Sequence, residues 1–456
     1  MTSAQAAGFS RRNIRSILYE SPAGGNEGAT PGTLSGSQSN GSIGPKLREN
    51  AEKAPGRWRV RERLLGYRTM SETALLMREL HRELSRRAAQ IVRLLGQFVR
   101  CESPSHDKVS VDRMARIVAR EWRNRGAYLR VFEQKSRGNH VRAQIWLGEG
   151  RPSGQVLVLG HMDTVYPLGT LAKMPFRVSG GRAWGPGVFD MKAGLILALV
   201  AVDALRSLSL RPQKRFVFLW NSDEEIDSDS SRPLIEREAK ASNAVLVLEP
   251  ALGSKGDLKT ARKGVGTAEI VVTGRSAHTG LSPQTGINAV HELALQTARL
   301  MKMNDPRRGT TVQVTVVNGG TVSNVVPDSA RAVLDLRIAK MADAARLERK
   351  LRGLRPILKG AQIEMRGGIN RPPLERTPGG LELFHRAQAL MRGIGVPVEE
   401  SLAGGGSDGN FTAALGIPTL DGLGAVGNGA HSPSEHVMTS SLPERAALLA
   451  GLLVTL

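Results

Sequence analysis

Three short apolar runs constrain the fold of this chain more than any other feature. They are QVLVLG from Gln155, RFVFLW from Arg215 and AVLVLE from Ala244. Near-continuous apolar runs of this length are typical of strands buried on both faces of a sheet. Helical patterns such as DMKAGLILALVAVDALRSL and SSRPLIEREAKAS lie between them. Strands that alternate with helices in this way predict a doubly wound α/β domain.

The pattern changes after Lys263. VGTAEIVVTGRSAHTG alternates like a half-exposed strand, and the stretch that follows runs strand–helix–strand–strand–helix–strand in total. That order is typical of a ferredoxin-like α+β domain. The α/β style returns with GGLELFHRAQALMRGIG. We therefore predict an α/β domain in two parts, residues 71–262 and 373–456, with an inserted α+β domain at residues 263–372.

The first 70 residues have a different composition. SPAGGNEGATPGTLSGSQSNGSIGP is rich in glycine, serine and proline, so it buries too little surface to offset its ordering entropy. We interpret residues 1–70 as a disordered basic extension, with Met70 or Met77 as an alternative start. The chain has no signal-peptide h-region and no apolar run of membrane-spanning length, so we expect a cytoplasmic location.

The charge balance is strongly basic, with a net charge of +21. The excess is rich in arginine and dispersed, without a basic helix interleaved with aromatic residues and without zinc-finger spacing. General solvation is therefore favoured, and neither nucleic acid nor a membrane is an expected partner. Cys101 is the single cysteine, which excludes a disulfide framework and a thiolate cluster. Any metal must be bound by nitrogen and oxygen ligands.

Acids and histidines follow the predicted strands in five segments. They are His161 with Asp163, Asp190, Glu224 with Glu225, Glu249, and His431. Ligands bind outside the carboxyl ends of strands in open α/β sheets, so these side chains can converge in one crevice.

Taken singly, each of these residues has a plainer explanation. A strand-end histidine is usually a satisfied turn residue, and Asp190 can be read as a helix cap. Two histidines and three carboxylates together, without cysteine, are the composition expected of a two-metal hydrolytic site.

Seven sequence segments resemble the M20 metallopeptidases, specifically the glutamate carboxypeptidase-like and aminoacylase/ArgE/DapE group. The segments are GHMDTV, GPGVFDMKAG, SDEE, LEP, SAHTG, GGGSDGNF and GAHSPSEHV. The resemblance covers roughly Leu80 to the C-terminus, and the segments occur in the family's order. It implies that the doubly wound α/β domain is catalytic, that the inserted ferredoxin-like domain serves as a lid or dimerisation domain, and that the protein is a homodimer.

The resemblance also implies a set of metal ligands. His161 and Glu249 would bind one zinc ion, and Glu225 and His431 would bind the other. Asp190 would bridge the two. Two Zn²⁺ per chain are expected, with Co²⁺ or Mn²⁺ as substitutes.

Further catalytic roles follow from the same resemblance. Asp163 would fix the tautomer of His161. Glu224 would take a proton from the metal-bridging water and pass it to the leaving amine. His278 of the inserted domain would reach across the dimer interface and polarise the scissile carbonyl. The alternative for His278 is a loop residue that caps the adjacent helix.

Substrate recognition is the least specific part of the resemblance. Asn324 and Arg337 match positions near the substrate, and Arg371 resembles the arginine that binds a carboxylate in the glutamate-cleaving branch. The alternative for Arg371 is a solvated residue before a Pro-Pro turn. The glycine-rich segment would place Gly405 and Asp408 near the site.

The sequence departs from the family pattern in places. Thr279 follows the insert histidine where a smaller residue is usual, and Asp227 stands where glycine is common. A lysine known in the glutamate-cleaving branch has no clean equivalent, although Lys259, Arg262 and Lys263 lie nearby. We also expect a cis peptide after Asp190, which is a family trait.

The function expected from the resemblance is that of a di-zinc hydrolase. It would remove a C-terminal amino acid, with glutamate as the candidate, from N-acyl amino acids or short peptides by attack of the metal-bridging water. The alternatives are an aminoacylase or dipeptidase of the same family, or a catalytically silent dimeric binding protein on this fold. The presence of Glu224 argues against a silent relative.

Overall fold

The computed structural model describes residues 70–456, so the predicted extension lies outside the described residues except for Met70. The helices in this range are α1 (Met70–Arg86), α2 (Ala88–Val99), α3 (Lys108–Asn124), α4 (Thr170–Lys173), α5 (Ala193–Ser207), α6 (Arg232–Lys240), α7 (Ala289–Met301), α8 (Met341–Arg352), α9 (Pro378–Arg392), α10 (Gly409–Ala414) and α11 (Ser441–Thr455). Short 3₁₀ or π turns occur at Val188–Lys192, Glu224–Ile226, Pro283–Thr285 and Pro306–Arg308.

The strands within residues 70–456 lie in four sheets. They are β1 (Tyr128–Phe132), β2 (His140–Ile145), β3 (Gln155–His161), β4 (Arg177–Ser179), β5 (Arg182–Trp184), β6 (Arg215–Asn221), β7 (Ala244–Val247), β8 (Leu258–Arg262), β9 (Gly264–Thr273), β10 (Thr311–Gly319), β11 (Ser329–Ile338), β12 (Gln362–Arg371), β13 (Glu400–Ala403), β14 (Thr419–Leu420), β15 (Gly427–Asn428) and β16 (His436–Met438).

The main sheet has the strand order β1-β2-β6-β3-β7-β14. Strand β3 runs parallel to β6 and β7, and every residue of β3 and β7 is buried. Twelve of the fifteen residues of α5 are buried, as expected of a helix in the middle of a covering layer. Leu234 and Ile235 of α6 belong to a second apolar cluster with Leu157 and Val217. Helices thus cover both faces, which confirms the predicted doubly wound class.

The inserted domain is a four-stranded antiparallel sheet of order β10-β11-β9-β12. In chain order it runs β9-α7-β10-β11-α8-β12, which is the predicted ferredoxin-like order. Burial alternates along β9 because one face packs on the two helices. Ile270, Leu334 and Leu347 lie in its core, which is separate from that of the main sheet.

The topology gathers the predicted site residues at one edge of the main sheet. His161, the last residue of β3, pairs in register with Asn221, the last residue of β6. Because β3, β6 and β7 are parallel, the residues that follow them emerge on the same side. A small sheet of order β15-β16-β5-β4 holds the loop of His431. Within residues 70–456, no helix combines the length and apolar character needed to span a bilayer.

Candidate metal centre

His161 is the most deeply buried of the predicted ligands, with 1% of its surface exposed. Its Nδ1 donates to the backbone carbonyl of Asp163 at 3.0 Å. The opposite nitrogen, Nε2, lies 3.1 Å from Asp190 Oδ1 and 3.5 Å from Glu249 Oε1. Burial alone would lower the pKa of His161, but hydrogen bonds to these three acids raise it well above its usual value. The ring is therefore held with Nε2 facing the carboxylates, as metal ligation requires.

Asp190 lies between the two predicted metal-binding histidines. Its Oδ1 faces His161 Nε2 at 3.1 Å, and its Oδ2 faces His431 Nε2 at 3.4 Å. Burial would raise the pKa of Asp190, but the hydrogen bonds to both histidines hold it well below the usual range. The peptide bond between Asp190 and Met191 is cis, which confirms the expectation from the sequence. One carboxylate oxygen is thus directed at each histidine.

His431 and Glu225 form the second half of the cluster. His431 Nε2 lies 3.3 Å from Glu225 Oε2, and hydrogen bonds to Asp190 and Glu225 raise the pKa of His431 to about 10. Burial raises the pKa of Glu225 to about 7. The other carboxylate oxygen of Glu225 is buried and has no hydrogen-bond partner among the described residues. An unpartnered buried oxygen of this kind is available to a cation or to a water molecule.

Glu249 lies just beyond β7 and faces two ways. Its Oε1 lies 3.5 Å from His161 Nε2, and its Oε2 accepts from Arg262 Nη2 at 3.0 Å. Arg262 also pairs with the fully buried carboxylate of Asp421 at 2.8 Å. This arginine fixes one oxygen of Glu249 and leaves the other directed at His161. The sequence suggested no such partner for Glu249.

Asp163 serves more residues than the sequence predicted. Its Oδ1 accepts from the backbone N–H of Glu224 at 3.3 Å, and its Oδ2 accepts from that of Glu225 at 3.2 Å. Ser105 Oγ donates to Oδ2 at 2.8 Å. The buried carboxylate therefore fixes the turn that carries both glutamates, and its Oδ1 lies 3.5 Å from His161 Nδ1, whose hydrogen bond goes to the backbone carbonyl of Asp163.

Glu224 lies beside an arginine from the end of the inserted domain. Its Oε1 is 3.2 Å from Arg371 Nη2, and burial raises its pKa well above the usual value for glutamate. Arg371 is 5% exposed, so its interpretation as a solvated residue is wrong. Its Nη1 donates to Asp408 at 2.6 Å and its Nη2 to the backbone carbonyl of Glu224 at 2.7 Å. Its predicted role toward a substrate carboxylate stays a prediction.

The glycine-rich segment also lies where its sequence suggested. The carbonyl of Gly405 accepts from Arg262 Nη1 at 3.2 Å, and Asp408 contacts Arg371. Gly405 thus contacts the arginine that pairs with Glu249, and Asp408 contacts the arginine that pairs with Glu224.

The remaining predicted substrate residues lie on the inserted domain. His278 is exposed, and its Nδ1 accepts from the backbone N–H groups of Gly280 and Leu281 at 3.1 Å. The carbonyl of Asn324 accepts from the neighbouring Thr279. Arg337 pairs with Asp335 at 2.8 Å. Among the described residues, no hydrogen bond or ion pair joins these side chains to the metal ligands.

The donor set fits divalent cations. In the described part of the chain, two groups of residues each have donor atoms within 4.8 Å of one another. They are His161 with Asp190 and Glu225, and His161 with Glu224 and Glu249. His431 extends the first group through its contacts at 3.3 and 3.4 Å. Imidazole nitrogens and carboxylate oxygens without sulfur suit a borderline cation such as Zn²⁺. The second group includes Glu224, for which the family resemblance implies the role of a base.

The fold and this donor set define the class of metal-dependent hydrolases with a two-domain α/β and α+β chain. The chain belongs to peptidase family M20/M25/M40, whose model matches residues 157–455. It is therefore a hydrolase that acts on peptide or amide bonds.

Comparison with a related sequence supports the same family, and comparison with solved structures shows the same fold. The chain is 33% identical to carboxypeptidase G2 of Pseudomonas sp. (strain RS-16) over 373 residues, which cover 80% of this chain and 89% of that protein. The structure of aminopeptidase PepT from Bacillus cereus ATCC 10987 matches with a TM-score of 0.66 and 20% identity, over 80% of this chain and 98% of that one. A dinuclear metal-binding M20 peptidase from Bacillus subtilis matches with a TM-score of 0.58 and 18% identity, over 80% and 97% of the two chains. At these identities the solved structures show the fold alone.

Proposed function

We propose that the protein is a di-zinc hydrolase that removes the C-terminal amino acid from N-acyl amino acids or short peptides. The position of Asp190 between His161 and His431, at 3.1 and 3.4 Å, carries this proposal. Each histidine has a second carboxylate beside it. When bound, two zinc ions supply Lewis-acid activation of water and of the scissile carbonyl.

The contacts support one ligand assignment. His161 and Glu249 would hold one cation, His431 and Glu225 would hold the other, and Asp190, with one oxygen facing each histidine, would be shared. The unpartnered buried oxygen of Glu225 supports its place in this set. Co²⁺ and Mn²⁺ accept the same donors and are expected to substitute for zinc.

Glu224 is proposed as the proton carrier. Its carboxylate also lies within reach of the His161 and Glu249 donors, so a ligand role is the competing assignment. We favour the base because Arg371, at 3.2 Å, already neutralises this carboxylate. Burial raises the pKa of Glu224, which helps the carboxyl group hold a proton between two steps. Glu224 then accepts a proton from the attacking water and delivers it to the nitrogen of the leaving amine.

The inserted domain is proposed to complete the site in a homodimer. Because His278 Nδ1 accepts backbone N–H groups, the proton of the neutral ring resides on Nε2, where it can be donated to a developing oxyanion. Within residues 70–456, no hydrogen bond or ion pair joins His278 to the metal ligands of its own chain, which favours action on a second copy. Among the described strands, β10 pairs with β11 alone and exposes Val316 and Val317. A free apolar edge of this kind suits pairing with another chain.

Recognition of the leaving amino acid is proposed to involve Arg337, with Asn324 beside the His278 loop. The Arg337 guanidinium is one-third exposed and its present partner, Asp335, is also accessible. Exchange of that partner for a substrate carboxylate is therefore inexpensive. The relation to carboxypeptidase G2 supports a carboxypeptidase over an aminoacylase or dipeptidase, and glutamate is the proposed leaving residue.

The proposal is tested by hydrolysis of a substrate panel with zinc-loaded protein. The panel contains N-acyl glutamate, N-acyl alanine, a dipeptide and the C-terminal amide of the first substrate. We expect turnover of the free acids, fastest for glutamate, and none of the amide. Protein that holds two zinc ions and hydrolyses none of the panel would refute the function.

A further inference from the structure

Glu435 is a buried carboxylate on an otherwise accessible loop. The loop joins β15 to β16 and carries His431, whose side chain is 49% exposed. Glu435 is 0% exposed. A carboxylate withdrawn from water requires strong hydrogen-bond partners, and the proposed reaction does not use this residue.

The partners of Glu435 are backbone N–H groups of the segment that carries Asp190. Its Oε2 accepts from Gly187 at 2.9 Å, and its Oε1 accepts from Phe189 at 2.8 Å and from Asp190 itself at 2.9 Å. Gly187 has a φ of 70°, and a Cβ there would lie 2.6 Å from the side chain of Thr164. The segment therefore curls around the carboxylate in a conformation that favours glycine.

Tyr166 adds a second tie to the same loop. Its hydroxyl donates to the carbonyl of Ser432 at 3.0 Å. The Glu435 carboxylate thus links the loop of His431 to the Asp190 segment, and the Tyr166 hydroxyl links the same loop to the loop after β3.

We infer that Glu435 is a positioning residue that sets the separation of His431 and Asp190 and thereby the affinity of the cation bound at His431. This inference rests on the metal centre of the proposed function. His431 sits at φ 60° in an exposed loop, so its own backbone does little to hold it near Asp190. His161 is fixed by β3 and by Asp163, so the cation at His161 depends on Glu435 only through the shared ligand Asp190.

This asymmetry separates positioning from a general structural role. A residue that only stabilises the fold would weaken both cation sites and lower the melting temperature together. A residue that positions His431 weakens one cation site selectively, because partners outside the metal ligands orient the ligands and tune their affinity.

The experiment compares Glu435→Gln with wild type, with Glu444→Gln as a matched control on α11. Metal-free full-length protein is titrated with Zn²⁺ in competition with a chromophoric chelator, and with Co²⁺ while its visible absorption is recorded. For Glu435→Gln we expect one of the two affinities to fall about 10- to 100-fold, with a smaller loss at the other cation and no change in the Glu444→Gln control. Glu435→Asp keeps the charge and is expected to recover part of the loss.

Tyr166→Phe provides a second, milder variant that keeps the carboxylate and removes one hydroxyl. We expect a smaller loss at the same cation. Equal loss at both cations, or unchanged affinities, in both variants would overturn the inference. Wild-type protein that binds fewer than two cations would refute the metal centre itself. Wild-type protein that binds two cations without hydrolysing any substrate would refute the proposed function alone.

Discussion

Replacement of Glu224 by glutamine tests whether Glu224 carries a proton while the adjacent Glu225 binds a cation. The amide keeps the shape of the side chain and removes its proton-carrying oxygen. Glu225, one residue later, lies 3.3 Å from His431, whereas Glu224 lies 3.2 Å from Arg371. The substitution should therefore stop proton transfer and leave the cations in place.

The expected magnitude follows from the role and from the contacts. General acid–base catalysis contributes about two to four orders of magnitude, which at 1.36 kcal/mol per decade is about 2.7 to 5.4 kcal/mol of barrier. Folding should change little, because Arg371 keeps its bonds to Asp408 at 2.6 Å and to the backbone of residue 224 at 2.7 Å. We expect the free energy of unfolding to change by less than about 2 kcal/mol.

The assay combines steady-state turnover with metal content measured on the same preparation. Glu224→Gln should retain both cations with kcat reduced, and Glu225→Gln should lose the cation bound at His431. If Glu224→Gln lost a cation while Glu225→Gln kept both, the assignments would be reversed. The donor group of His161, Glu224 and Glu249 would then be the true ligand set.

Three further outcomes are expected. Arg371→Met should lower the free energy of unfolding by about 3 to 5 kcal/mol, because it leaves a buried carboxylate without its guanidinium partner. Urea unfolding measures this change beside the exposed-site control Arg366→Met. A loss of stability equal to that of the control would contradict the prediction. In metal-free protein the pKa is raised to about 10 for His431, to about 7 for Glu225 and well above its usual value for His161. Zinc binding at pH 7 should therefore release about two to three protons and strengthen as pH rises. Calorimetry in buffers of different ionisation enthalpy tests it, and a pH-independent affinity would refute it. The pKa values of Glu225 and His431 in the folded protein lie above their ordinary values. Their contribution to the free energy of unfolding of metal-free protein is therefore present in acid. This contribution is lost between about pH 4.5 and 7 for Glu225 and between about pH 6.5 and 10 for His431. Removal of residues 1–69 should leave turnover within about twofold, and a larger loss would assign that segment a role in the site.

Much of the site could be predicted because the chemistry follows the ends of buried strands. His161 ends β3 and Glu249 follows β7, and parallel strands deliver both to the same edge. A local pattern is enough for this, since a strand's direction and its terminus are properties of contiguous residues. The order of elements in the inserted domain was predictable for the same reason.

The contacts that hold the ligands in place could not be read in this way. Arg371 could equally have been solvated or directed at substrate, and its burial against Asp408 depends on how β12 leaves the inserted domain. Glu435 was visible in GAHSPSEHV, but nothing local indicates that its carboxylate turns inward.

The sequence by itself determined the donor types, their order along the chain and the fold that gathers them. Only the tertiary structure decided which acid faces a histidine, which faces an arginine and which accepts hydrogen bonds from backbone N–H groups. Glu435 accepts from Asp190 across 245 residues of chain, and Arg371 reaches Glu224 across 147. Such pairings depend on side-chain directions set by packing between distant segments, and neither spacing nor periodicity encodes those directions.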